Sequence, residues 1–174
     1  MSHEDHRREG PTSVRLAVVT ASDTRGEAED ESGAFLKRAL SAAGHPVVAY
    51  RVVKDEPAAI RAALAEARAA GAEVLLVNGG TGIAARDRTF EAVEGLLDKR
   101  LDGFGELFRM LSYAEIGSAA MMSRAVAGVW GRCAVFSMPG STAAVRLAFE
   151  KLILPELSHL VRELRKDGGS APPR

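Results

Sequence analysis

Residues 14–20, Val-Arg-Leu-Ala-Val-Val-Thr, form a short apolar run rich in β-branched side chains that ends in Ala-Ser-Asp-Thr-Arg-Gly. That pattern predicts a buried strand opening into a loop. Phe35, Leu36, Ala39, Leu40 and Ala43 then recur at helical spacing, with Gly44 as the stop. A second β-rich run, residues 46–53, ends at Lys54-Asp55-Glu56-Pro57. Ile60, Ala63, Leu64 and Ala67 follow at i, i+3, i+4 and i+7 and predict a second helix closed by Gly71. Residues 74–77 form a third strand that runs straight into Asn-Gly-Gly-Thr-Gly.

Strand, helix, strand, helix, strand in this order predicts a parallel sheet with helices on its faces and right-handed crossovers. Beyond the glycine loop, two helical stretches are expected near 89–99 and 104–115, the second marked by Leu107, Met110, Leu111 and Ala114. Residues 124–130 and 132–138 flank Gly131 as a hairpin would, which makes one strand antiparallel. A long helical region follows Pro139-Gly140, with a kink or restart expected at Pro155. The fold class is therefore α/β, a three-layer α/β/α sandwich on a mostly parallel sheet. One domain is expected over residues 13–167, with residues 1–12 and 168–174 as disordered tails.

The chain length of 174 residues fits a single core. Lys plus Arg equals Asp plus Glu at 23 each, so no overall basic field points to nucleic acid or an anionic membrane as partner. No run approaches the roughly 20 apolar residues of a membrane span, and no leader pattern is present, so a soluble cytoplasmic protein is expected. The single cysteine, Cys133, has apolar neighbours and reads as a core thiol. His3, His6, His45 and His159 share no metal-ligand spacing. The pairs Leu107/Met110 and Met121/Met122 read as core or subunit-interface packing.

In an open parallel sheet, ligands bind at the carboxyl ends of the strands near the point where strand order reverses. That rule selects Ser22, Asp23 and Thr24 after the first strand, and Asp55 after the second. It also selects Gly79, Gly80, Thr81 and Gly82 after the third, and Pro139, Gly140, Ser141 and Thr142 after the last. The glycine loop would let backbone N–H groups approach an anion, or would simply make a tight turn. It has neither the Gly-Lys-Ser/Thr of a Walker A loop nor the spacing G-x-G-x-x-G. Asp87, five residues beyond Gly82, either caps the following helix or, with Asp55, offers hard oxygen ligands to magnesium on phosphate. Asp55 has the same two readings with respect to the helix that contains Pro57. Ser141 opens a helix and is either an N-cap or a phosphate contact. Arg86, Arg88, Arg109, Arg124 and Arg146 are candidates for neutralising phosphate charge.

Taken together, these motifs resemble a known family. They are Ser22-Asp23-Thr24-Arg25 with Asp30, Ser32 and Gly33; Gly79-Gly80-Thr81-Gly82 with Asp87 and Thr89; Gly103-Phe104-Gly105-Glu106; Ser123-Arg124; and Pro139-Gly140-Ser141-Thr142. In this order and spacing, over residues 13–165, the chain is similar to the MoaB/MogA family of molybdenum cofactor biosynthesis proteins, and closer to its MoaB branch. Asn78, Phe90 and Thr142 stand where the family often has Thr, Pro and Pro.

The resemblance implies the molybdopterin-binding fold and, in active members, adenylylation of molybdopterin by ATP with magnesium and release of pyrophosphate. It implies that Asp55 and Asp87 are the catalytic, magnesium-holding acids. By the same resemblance Gly79 to Gly82 and Pro139 to Thr142 hold phosphate and pterin, and Ser22, Asp23 and Glu106 complete the pocket. It also implies a homotrimer or homohexamer and a downstream molybdenum-insertion protein as partner. The alternative within the same family is a non-catalytic molybdopterin-binding or carrier protein.

Overall fold

The computed structural model describes residues 10–166. Of the tails expected at residues 1–12 and 168–174, residues 1–9 and 168–174 lie outside the described residues. Pro11 is within them, and its carbonyl accepts a hydrogen bond from Ser158 Oγ at 2.9 Å.

Six strands form one sheet: β1 (Leu16–Ala21), β2 (Val47–Val53), β3 (Val74–Asn78), β4 (Lys99–Arg100), β5 (Val126–Trp130) and β6 (Cys133–Met138). Their spatial order is β2-β1-β3-β6-β5-β4. The pairs β1/β2, β1/β3 and β3/β6 are parallel, whereas β5 runs antiparallel to both β6 and β4. The hairpin expected around Gly131 is the β5–β6 connection.

The helices are α1 (Glu31–Ala42), α2 (Pro57–Ala69), α3 (Thr89–Glu94), α4 (Asp102–Ile116), α5 (Thr142–Ala148) and α6 (Leu154–Lys166). Alternate residues of the central strands face opposite layers. Leu16 and Val18 of β1 pack with Leu76 and Phe136 against Leu36, Phe108, Phe149 and Val161. Ala17 and Val19 pack with Leu75, Val77 and Val135 against Ile60, Leu64 and Val93. Burial on both faces explains the near-continuous apolar runs of β1 and β3. Cys133 is a core thiol as expected, its Sγ donating to the Ala72 carbonyl at 3.1 Å, and burial pushes its pKa up.

One expectation is corrected. The helix expected over 89–99 stops at Glu94, and Lys99 and Arg100 form an edge strand opposite Val129 and Gly128. The restart expected at Pro155 is seen: a π turn at Phe149–Ile153 widens the backbone, with Leu154 N–H donating to the Phe149 carbonyl, and α6 starts at Leu154. Of the residues read as core or subunit-interface packing, Leu107, Met110, Met121 and Met122 lie outside the core of this chain, being 47%, 60%, 81% and 48% exposed.

The strand order reverses between β1 and β3, since the chain moves outward to β2 on one side and to β6 on the other. The loops that leave β1, β2, β3 and β6 therefore meet at one end of the sheet. Among the described residues no helix is long and apolar enough to cross a membrane.

Candidate functional site

The strand ends converge because two glycines allow it. Gly79 has φ +95°, its N–H donates to the Met138 carbonyl at 3.1 Å, and a Cβ there would lie 2.2 Å from the Ala21 carbonyl oxygen. A Cβ at Gly140 would in turn lie 2.8 Å from Gly79 Cα. The ends of β1, β3 and β6 are thus in backbone contact. Asn78, fully buried, donates from Nδ2 to Thr20 Oγ1 at 2.8 Å and ties β3 to β1 just below this junction.

Asp55 is 6% exposed at the end of β2. Its Oδ1 accepts from Thr89 Oγ1 at 2.9 Å and from Arg88 N–H at 3.3 Å. It does not cap α2, whose N-cap is Glu56. Burial pushes the Asp55 carboxyl up, an effect opposed by the bonds from Thr89 and Arg88 and reinforced by the nearby charges of Asp87 and Asp23. Asp87 does not cap α3 either. The N-cap there is Arg88, and Asp87 Oδ2 instead accepts from Ala84 N–H at 3.1 Å, closing a turn with Asp87 N–H on the Ala84 carbonyl.

The glycine loop supplies the space between these two acids. A Cβ on Gly80, whose φ is +58°, would sit 2.2 Å from Asp55 Oδ2, and one on Gly82 would sit 2.5 Å from Asp87 Oδ2. Among the described residues no hydrogen bond reaches Asp55 Oδ2 or Asp87 Oδ1. Each acid thus keeps one oxygen for a ligand beside the glycine loop. No group of three or more His, Cys, Asp or Glu able to hold a metal occurs among the described residues. A two-carboxylate set suits magnesium, which takes one or two protein carboxylates and fills its shell with phosphate oxygens and water.

Asp23 borders the same site, and Arg86 grips it bidentately, Nε at 2.7 Å from Oδ2 and Nη2 at 3.1 Å from Oδ1. The guanidinium, with the Asp55 N–H on Oδ1 at 3.2 Å, holds the Asp23 carboxyl below its ordinary range. Ser22 Oγ accepts from Arg25 N–H at 3.1 Å and shapes the loop after β1. Thr81 is buried. On the β6 side, Ser141 caps α5 by accepting from Ala144 N–H at 3.3 Å, so its capping reading holds. Ser32 Oγ donates to the Gly140 carbonyl at 2.9 Å and lies 3.4 Å from Thr142 Oγ1, which docks α1 on the segment that begins at Pro139.

Glu106, on α4, shares its cleft with the start of β5, where Val126 pairs with Ser137 near the end of β6. That cleft, of about 380 Å³, is also lined by Arg100, Arg109, Ser123, Arg124 and Phe90. A second cleft of about 280 Å³ holds Asp87, Arg88, Glu91 and Ile83, and Arg124 borders both. Arg146, on α5, pairs with Glu150 at 3.4 Å and lies over the Phe35 ring.

These features coincide with a family match: residues 13–159 fit the model described as a probable molybdopterin binding domain. The chain belongs to that family. It is similar to molybdenum cofactor biosynthesis protein B of Bacillus subtilis, 55% identical over 169 residues that span 96% of this chain and 99% of the relative. A crystal structure of a molybdenum cofactor biosynthesis protein B aligns with TM-score 0.86 at 56% identity, covering 91% of this chain and 99% of that one. The tungsten cofactor synthesizing protein MoaB from Pyrococcus furiosus aligns with TM-score 0.83 at 40% identity, covering 89% and 99%.

In this molybdopterin-binding domain, sequence reasoning passed over Lys54, whose Nζ donates to the Asp23 carbonyl at 2.6 Å, and Glu91, which pairs with Arg124. Lys54 adjoins Asp55 in the loop after β2 and could have been noted as a rim cation. Glu91 gave no signal, because its partner is 33 residues away.

Proposed function

We propose that this member of the molybdenum cofactor biosynthesis family adenylylates molybdopterin. The observation that supports it is the pair of ligand-free carboxylate oxygens, Asp55 Oδ2 and Asp87 Oδ1, set beside Gly80 and Gly82 at the switch point of the sheet.

In this reaction a terminal phosphate oxygen of molybdopterin forms a bond to the α-phosphorus of ATP. The bond from that phosphorus to the β-bridging oxygen breaks, and pyrophosphate leaves with the electron pair. Phosphoryl chemistry of this kind needs positioning and charge stabilisation more than a protein nucleophile. Magnesium, held by Asp55 and Asp87, would supply neutralisation of the crowded phosphate oxygens. Amides of the glycine loop approach the phosphates without a Cβ in the way. Arg88, at the mouth of the Asp87 cleft, adds positive charge there. The test is pyrophosphate release when the protein is mixed with molybdopterin and magnesium-ATP.

The same reading has the exposed apolar residues of α4, Leu107, Met110, Tyr113 and Ile116, covered by further copies of the chain. Light scattering at micromolar concentration should give a trimer or hexamer, and Met110→Glu should shift it toward smaller species. A monomeric wild type contradicts this part of the proposal.

A further inference from the structure

Arg124 lies just ahead of β5, and all three of its guanidinium nitrogens are engaged by protein. Nε donates to the Thr81 carbonyl at 3.0 Å, Nη2 donates to the Asp87 carbonyl at 3.2 Å, and Nη1 pairs with the Glu91 carboxylate. The guanidinium also lies 5.1 Å from the centre of the Phe90 ring. Thr81 and Asp87 are the two ends of the loop that carries Gly82 and the Asp87 carboxylate. One planar group therefore fastens both ends of that loop.

The other bonds at Asp87 are local to the turn: its N–H meets the Ala84 carbonyl, and its Oδ2 meets the Ala84 N–H. They shape the turn but do not fix it in the molecule. Arg86 reaches from the loop to Asp23, yet its side chain is 62% exposed, against 28% for Arg124. Charge-assisted bonds to backbone carbonyls in a half-buried setting are the stronger tether. Three of its five N–H groups are committed to these bonds, which gives this arginine, read from the sequence as a phosphate contact, a mechanical role as well.

We propose that Arg124 is a positioning residue: it holds residues 81–87 against the start of β5 and so sets where the Asp87 carboxylate stands. The catalytic consequence rests on the adenylylation reading, whereas the tether itself does not. Lysine cannot replace it, because a single ammonium lacks the fork that spans two carbonyls and a carboxylate.

The test is hydrogen exchange on the full-length chain, comparing wild type with Arg124→Ala and Arg124→Lys. The amides of Ala84 and Asp87 are expected to exchange about 10-fold faster or more in the alanine variant, with a smaller rise in the lysine variant. Amides of β1 and β3 should be unchanged, and millimolar guanidinium should slow the loop again in Arg124→Ala alone. In turnover, kcat should fall about 10- to 100-fold with little change in KM for ATP. Unchanged exchange at Ala84 and Asp87 in both variants overturns the tether, as does an equal acceleration in β1 and β3, which would make Arg124 a support of the whole fold. A wild type that does not adenylylate would overturn the function reading while exchange still decides the role of Arg124.

Discussion

Asp55→Asn should melt at a higher temperature than the wild type and yet lose turnover by about 100- to 1,000-fold. The side chain is buried at 6% exposure, and its ionised form is disfavoured by that burial and by Asp87 and Asp23 nearby. An asparagine amide oxygen can accept the same bonds from Thr89 and Arg88 without carrying charge. Removing the charge relieves a desolvation cost, and each kcal/mol relieved raises the midpoint by roughly 2–4 °C in a chain of this size.

The sign with pH follows from the raised folded value. Between the unfolded carboxyl value of about 3.9 and the higher folded one, the native state binds more protons than the unfolded state. Wild-type stability is therefore lost as pH rises through that window. The advantage of Asp55→Asn is complete above the folded value and vanishes below about pH 3.9. A variant that melts below wild type at pH 7 would show the carboxylate to be a net structural support rather than a destabilised functional group.

Gly79→Ala is the most damaging small substitution the site offers. At φ +95° an alanine is strained, and its Cβ would fall 2.2 Å from the Ala21 carbonyl oxygen, which is backbone of the central strand. Strain at such a φ costs about 1–3 kcal/mol and forcing a methyl into packed backbone about as much again. The sum, about 2–6 kcal/mol, is a large part of the roughly 5–15 kcal/mol that holds a domain folded. The melting midpoint should fall by roughly 4–24 °C. Gly103→Ala is the matched control, since a Cβ there has no neighbour within 4 Å, and it should melt with the wild type or slightly above. Calorimetry on the pair decides it, and a Gly79→Ala protein as stable as wild type would mean the strand ends can separate freely.

The layered α/β architecture was legible because β1 and β3 are buried on both faces and the helices between them carry clear 3.6-residue stripes. The edge strand β4 was not, because two residues are too few to show alternation and Leu96 and Leu97 extend the apparent helix past its end at Glu94. Met110 and Leu107 show the limit of periodicity in another way. Spacing marks a face as apolar but does not say whether the same chain covers it, and here it does not.

For the site, the carboxyl-end rule placed Asp55, Asp87 and the glycine loop on one rim, and the structure puts both acids against Gly80 and Gly82. The choice between capping and a ligand-facing role could not be made from spacing, because it depends on Thr89 and Arg88 reaching Asp55 from more than 30 residues away. Arg124 was visible as a charge but not as a tether, since its acceptors at Thr81 and Asp87 are main-chain carbonyls, which every residue has.

Pyrophosphate release from magnesium-ATP, measured with and without molybdopterin and with Asp87→Ala in parallel, bears most directly on the proposed chemistry. One pyrophosphate per adenylylated pterin from the wild type, and a rate at least about 100-fold lower from the variant, is the expected result. No release from a wild type that still binds molybdopterin, or an unchanged rate in Asp87→Ala, would contradict it.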